Sequence, residues 1–174
     1  MVILANMNEL DEAWSLMLAG AIKNANASGR GDVADYLALK QSNDLIRQTS
    51  VDWLFGSFIE LAAEANRQNS AISIEREDPH EFSFQSARMA GSIIRISLGV
   101  RRLTVEAGWT RLPAHGFMRH GALAGARITH FGMPKAVAEL MLVRNGEVPV
   151  WNCHDGRVFD SQMISEQFAV FLGD

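Results

Sequence analysis

Residues 94–107 read Ile94-Arg95-Ile96-Ser97-Leu98-Gly99-Val100-Arg101-Arg102-Leu103-Thr104-Val105-Glu106-Ala107. Apolar and polar residues alternate on both sides of Leu98-Gly99. Each run therefore puts its apolar side chains on one face and its polar ones on the other, and the glycine supplies the turn. A single hairpin is marginal in water and needs further strands and a covering layer. The flanking sequence supplies both.

On the N-terminal side, Ile72 and Ile74 alternate with Ser73 and Glu75, and Phe82 and Phe84 alternate with Ser83 and Gln85. Asp78-Pro79 between them predicts a turn separating two strands. On the C-terminal side, Leu103, Val105, Ala107 and Trp109 oppose Arg102, Thr104 and Glu106. A non-periodic stretch from Thr110 to Gly121 reads as a long loop. Strand character resumes through Ala122 to Phe131 and from Val137 to Val143. Asn145-Gly146 then joins that strand to Val148–Cys153 through an expected type I′ turn, with Arg144 facing Glu147 across it. Pro134 to Val143 also fits a helix started by proline and stopped at Asn145-Gly146, but only the strand explains the apolar run that follows.

Upstream of Asn69 the period lengthens to three and four. Asn8 is placed to cap a first helix, on which Leu10, Trp14, Met17, Leu18, Ala21 and Ile22 share a face. Ser28-Gly29-Arg30-Gly31 ends it. A second helix starts at Asp32, and the polar patch Gln41–Asp44 breaks or bends it. A third, capped by Thr49 or Ser50 and ending at Arg67-Gln68-Asn69, carries the broad stripe Val51, Leu54, Phe55, Phe58, Ile59, Ala62 and Ala65. At the other end Asp160 caps a closing helix facing inward with Met163, Ile164, Phe168, Phe171 and Leu172. The expected fold is α+β: N-terminal helices and a C-terminal helix packed on an antiparallel meander of six or seven strands. It is read as one domain over 1–174, with a helical layer at 1–69, the sheet at 70–158 and the closing helix at 159–174.

The chain has 174 residues, 48% of them hydrophobic and 21% charged, which suits a folded domain able to bury about 70% of its unfolded surface. Cys153 is the only cysteine, so no intrachain disulfide forms. The opening Met1-Val2-Ile3-Leu4-Ala5 is short, lacks a basic flank and runs into Asn and Glu, unlike a signal peptide. No run is apolar enough to span a membrane. A cytoplasmic protein is the resulting expectation.

Charge is divided unevenly. Between His80 and Arg144, nine basic residues against three acidic leave +6, while seven basic against seventeen acidic leave −10 elsewhere. If the strands run as read, Arg95, Arg102, Thr104 and Glu106 share the polar face of one hairpin, joined by Arg127 and Thr129. Arg111, His115, Arg119 and His120 hang over one end. Arginine grips carboxylates and phosphates through a planar fork, so these residues are the candidate ligand-binding set. Ordinary solvation of an exposed sheet face is the competing explanation.

Other chemistries find little support. His115, His120, His130 and the Cys153-His154-Asp155 run match no metal-ligand spacing, so neither a metal nor a cofactor is expected. Cys153 and His154 point to opposite sides of a strand, which leaves the thiol without a base. Gly29-Arg30-Gly31-Asp32 joins two helices and lacks the strand and lysine of a phosphate loop. The leading functional expectation is a non-catalytic domain. It binds a small anionic ligand or a protein partner through the arginine-bearing face and the 110–121 loop. The alternative is an enzyme on a small acidic substrate, with Glu106 and His115, His120 or His130 as acid–base pair. Single-stranded nucleic acid ranks last, since the whole chain carries −4. Unpaired sheet edges leave room for a homo-oligomer.

Overall fold

The computed structural model describes the backbone of residues 3–173 and the side chains of residues 12–173. The chain forms two compact units, residues 1–46 and 47–174.

The first unit is helical. Helix α1 covers Ile3–Ala27, and the opening turns of α2 follow a short connection in which Gly29 adopts a positive φ of 74°. Helix α1 already includes Asn8, so that residue lies within the helix and is not its cap. Met1, Val2 and the side chain of Leu10 fall outside the described residues. Of the expected inward face, Leu18 is buried, whereas Trp14, Met17 and Ala21 are exposed.

Helix α2 runs unbroken over Gly31–Arg67, 37 residues. The break at Gln41–Asp44 and the new cap at Thr49 or Ser50 do not occur. No proline or glycine interrupts 32–55, and polar residues cost a helix interior under about 0.7 kcal/mol each. Such a penalty is too small to end a helix by itself. Helix α2 ends where Asn66 and Ile72 exchange hydrogen bonds at 2.9 and 2.8 Å.

The second unit holds the sheet. Strands β1 (Ser73–Phe84), β2 (Ala87–Leu98), β3 (Arg101–Trp109), β4 (Ala124–His130), β5 (Ala138–Asn145) and β6 (Val148–Cys153) pair antiparallel in chain order. The meander of the expected α+β class is thus six-stranded, and 138–145 is strand. Asp78-Pro79 makes no chain-reversing turn. β1 passes straight through it, with a cis peptide at Asp78–Pro79 and a register shift between Glu77 and His80. An extra residue in one strand absorbs the proline's missing donor without ending the pairing.

At the second hairpin Asn145 pairs with Val148 and Arg144 with Pro149, so the turn residues are Gly146 and Glu147. Only Gly146 has positive φ among 144–148. The turn therefore follows the type II′ pattern instead of type I′, with glycine at the first central position, and Arg144 does not face Glu147.

One sheet face is the main core. Ile94, Ile96, Leu103, Val105, Ile128, Leu140 and Leu142 are buried there, with Leu54, Phe55 and Phe58 of α2 among the other fully buried side chains. Trp151 Nε1 donates to the Ser50 carbonyl at 3.1 Å, and Arg47 Nε to that of Leu123 at 2.7 Å, tying α2 to the sheet. Helix α3 (Ser161–Leu172) packs on β3 and buries Ile164, Phe168 and Phe171. Asp160 caps it, accepting from the backbone N–H of Gln162 and Met163 at 3.1 and 3.0 Å. The Arg101 guanidinium donates to the Leu172 carbonyl at its other end, where positive charge suits the helix dipole.

Candidate functional site

The opposite sheet face holds a second, smaller core. Three glycines lie side by side across it, Gly91 against Gly108 and Gly108 against Gly125. Without side chains in this row, the far end of the β1–β2 hairpin folds over the sheet. The Phe84 ring then lies where a Cβ on Gly125 would be, its nearest carbon 2.9 Å away. Phe82, Phe84, Ala87 and Met89 form the buried cluster, with Met118 and Met141 against it. Part of the signal was available: the glycines stand 17 residues apart, and Gly108 and Gly125 fall inside strand patterns, where glycine marks close approach of other atoms.

Beside that cluster the polar residues converge. Glu106, Arg127 and Glu139 pair across β3, β4 and β5. Arg127 donates to Glu106 at 3.0 Å, to Glu139 at 3.1 Å and to the Ser83 carbonyl at 2.9 Å, which pins the folded hairpin to the sheet. The other oxygen of Glu106 lies 2.9 Å from His80 Nε2, and the imidazole stacks on Phe82. Arg95 pairs with Glu77 at 2.9 Å.

His80 Nδ1 also lies 3.8 Å from Glu77, so three of the eight candidate residues, Arg95, Glu106 and Arg127, are joined through His80 in one polar network. Its two arginines are matched by three carboxylates, Glu77, Glu106 and Glu139. The Arg127 fork is taken up on every nitrogen by protein oxygens, and Arg95 donates from one nitrogen to Glu77. Arg102, one pairing step along, is exposed and donates to Ser97 Oγ at 3.2 Å. His80 is the member the sequence reading overlooked. The misplaced turn at Asp78-Pro79 hid that His80, Phe82 and Phe84 continue one alternating face. Of the histidines proposed to partner Glu106, His130 lies on the main-core face, 2.9 Å from Gln167 of α3.

Arg111, His115, Arg119 and His120 sit on the loop at 110–121, at the sheet end that also carries the β1–β2 turn. The loop is anchored at three points. Met118 enters the second core, Gly116 lies against the backbone of Ser86 and Ala87, and Arg111 stacks 4.6 Å over the buried Trp109 ring. Internally, His115 Nδ1 accepts the Arg111 backbone N–H at 3.3 Å, and two 3₁₀ turns span Pro113–His115 and Arg119–Gly121. With Met118 turned inward, its neighbour Phe117 is 84% exposed. Leu112 is exposed as well, and no Asp or Glu occurs anywhere between Glu106 and Glu139.

A separate apolar cavity of about 410 Å³ opens between α2 and β6, lined chiefly by Trp53, Pro149, Val150, Trp151, Val158 and Phe159. Cys153 is half-buried at the end of β6. Burial first, then the nearby Asp155 carboxylate, push its thiol above the ordinary value; Arg157 opposes them, and Asp160 adds a smaller push upward. A thiol held protonated at neutral pH is a poor nucleophile. Cys153→Ser is expected to leave any binding unchanged, and the native protein to react with iodoacetamide at pH 7 more slowly than a free cysteine peptide. Faster labelling than the peptide would contradict this.

Comparison with protein-family models, curated proteins and solved structures gave no match. Among the described residues, no group of three or more His, Cys, Asp and Glu is placed to hold a metal ion, and no helix is long and apolar enough to cross a membrane.

Proposed function

We propose that the chain is a non-catalytic binding domain whose 110–121 loop docks an acidic protein segment. The observation that carries this reading is Phe117, which stands 84% exposed on a loop fixed from beneath by Met118 and Trp109. A bare phenylalanine on a floppy tail would mean little. On an anchored loop its conformational entropy is largely lost before binding, and aromatic anchors of this kind dominate interface energies. Arg111, Arg119 and His120 surround it in sequence, all exposed and without an acidic neighbour in the chain. Such a rim attracts carboxylates and raises the encounter rate.

The sheet-face arginines have a different role in this reading. Arg95 and Arg127 hold the folded hairpin and its carboxylates, and so brace the surface against which the loop rests. The ligand-binding set thus narrows to Arg111, Arg119 and His120, with Phe117 added.

The test is a fluorescence anisotropy titration with a labelled glutamate-rich peptide carrying one central leucine. Inorganic phosphate and a single-stranded oligonucleotide serve as competing probes. Saturable peptide binding that weakens with salt is expected, falling at least about tenfold for Phe117→Ala and again for Arg119→Ala. Competition by phosphate alone would assign the site to small anions. Tighter binding of the oligonucleotide with a steep salt dependence would assign it to nucleic acid. An unchanged affinity in both variants would remove the loop from the account.

A further inference from the structure

The helical unit, residues 1–46, buries little among its described side chains, those of residues 12–46. Among its described side chains only Leu18, Ala25 and Ala34 are buried, and two of the three are alanines. Trp14, Leu16, Met17, Tyr36, Leu39 and Leu45 are each between 51% and 70% exposed. Trp14 and Met17 are neighbours at i, i+3 on α1, as are Tyr36 and Leu39 on α2. Lys40 Nζ sits 5.8 Å from the Trp14 ring, which brings the Tyr36–Lys40 turn beside Trp14. The two apolar pairs therefore flank the same side of the helical hairpin.

We infer that this face is a self-association surface covered by the same face of a second copy. Trp14, Met17, Tyr36 and Leu39, each more than half exposed, leave on the order of 500 Å² of surface on that side, within the range for the largest patch on a monomer. A stable interface removes about 800 Å² from each partner. The apolar centre plus a modest polar rim meets that requirement. A two-helix hairpin paired with its twin makes a four-helix arrangement, which encloses a core that two helices cannot. A two-fold contact also demands only that the surface complement itself.

Other routes to self-association have less to offer. Strand β1, one sheet edge, carries Glu75, Arg76, Glu77, Asp78, Pro79 and Glu81. Charges, proline and a register shift all discourage a further strand. On β6, the other edge, residues 157–159 already bond to Cys153 and Trp151, and Pro149 offers no N–H. A membrane surface fits the helices poorly, because residues 1–46 hold six acidic side chains against three basic ones. Membrane-surface helices concentrate lysine and arginine opposite their apolar face.

Sedimentation equilibrium on the full chain across the micromolar range is expected to give twice the chain mass. Tyr36→Glu combined with Leu39→Glu should weaken association at least about tenfold while the sheet unit's melt is retained. Should that variant fail to fold, Met17→Gln with Leu39→Gln provides the same comparison without buried charge. A monomeric wild type overturns the inference, as does a dimer that neither variant weakens. A monomer that co-floats with phosphatidylcholine vesicles would overturn it in favour of a lipid surface.

Discussion

Phe58→Ala is expected to destabilise the protein by about 3–5 kcal/mol, measured by urea denaturation. Phe58 is fully buried on α2 and belongs to a layer in which Leu54, Phe55 and Ala62 are likewise inaccessible. Truncation loses the transfer free energy of a phenyl ring and leaves a cavity. Neighbours cannot fill it cheaply, because α2 is held to the sheet by Trp151 at Ser50, by Arg47 at Leu123, and by the paired Asn66 and Ile72 bonds. With total stabilities of about 5–15 kcal/mol, such a loss leaves the variant close to unfolding. A change below about 0.5 kcal/mol would mean that this stripe is surface.

Gly91→Ala is expected to be comparably severe. A Cβ at position 91 would meet the Ala107 carbonyl oxygen and lie 2.5 Å from Gly108 Cα. Both are backbone atoms of the paired strand, so relief requires β2 and β3 to part. That disrupts the glycine row over which Phe84 folds. The cost should reach or exceed the upper end of the roughly 1–3 kcal/mol typical of overpacking, and Met118 should lose its seat with it. Gly56→Ala makes the opposing comparison. Nothing lies within 4 Å of that added methyl on α2, so it should be neutral or stabilise by up to about 1 kcal/mol. Equal effects for the two substitutions would show that the close approach at Gly91 carries no energetic weight.

The two glycines illustrate where the sequence was legible. The period-two pattern through Ile94–Ala107 depends on one strand and its immediate neighbour, and it located the hairpin and the polar face that Arg95 and Glu106 share. The closing helix was equally readable, because its Asp160 cap and apolar face are local features. Helix α2 was misread because the polar residues Gln41–Asp44 were taken as a break, whereas without proline or glycine their mild propensities cost too little to end a helix. The strand through Asp78-Pro79 was misread because a proline normally ends pairing, whereas a bulge here accommodates it.

The site was less legible still, for a reason of geometry. Arg95 and Arg127 were visible as one polar face, but their partners are distant in the chain. Glu77 lies across a different hairpin from Arg127, and Glu139 belongs to β5. Only the finished sheet shows that the arginines are matched by carboxylates. The inward turn of Met118 and the outward turn of Phe117 depend on the hairpin folding over Gly125. No residue near the loop records that event.

The most direct test of the proposed docking surface is a backbone amide chemical-shift map of the full chain titrated with the glutamate-rich, leucine-bearing peptide. Saturable shifts concentrated at 110–121, strongest around Phe117 and Arg119 and weak near Arg95 and Glu77, are the predicted result. Shifts confined to the cavity between α2 and β6, or to the Arg95–Arg127 face with the loop unmoved, would contradict it.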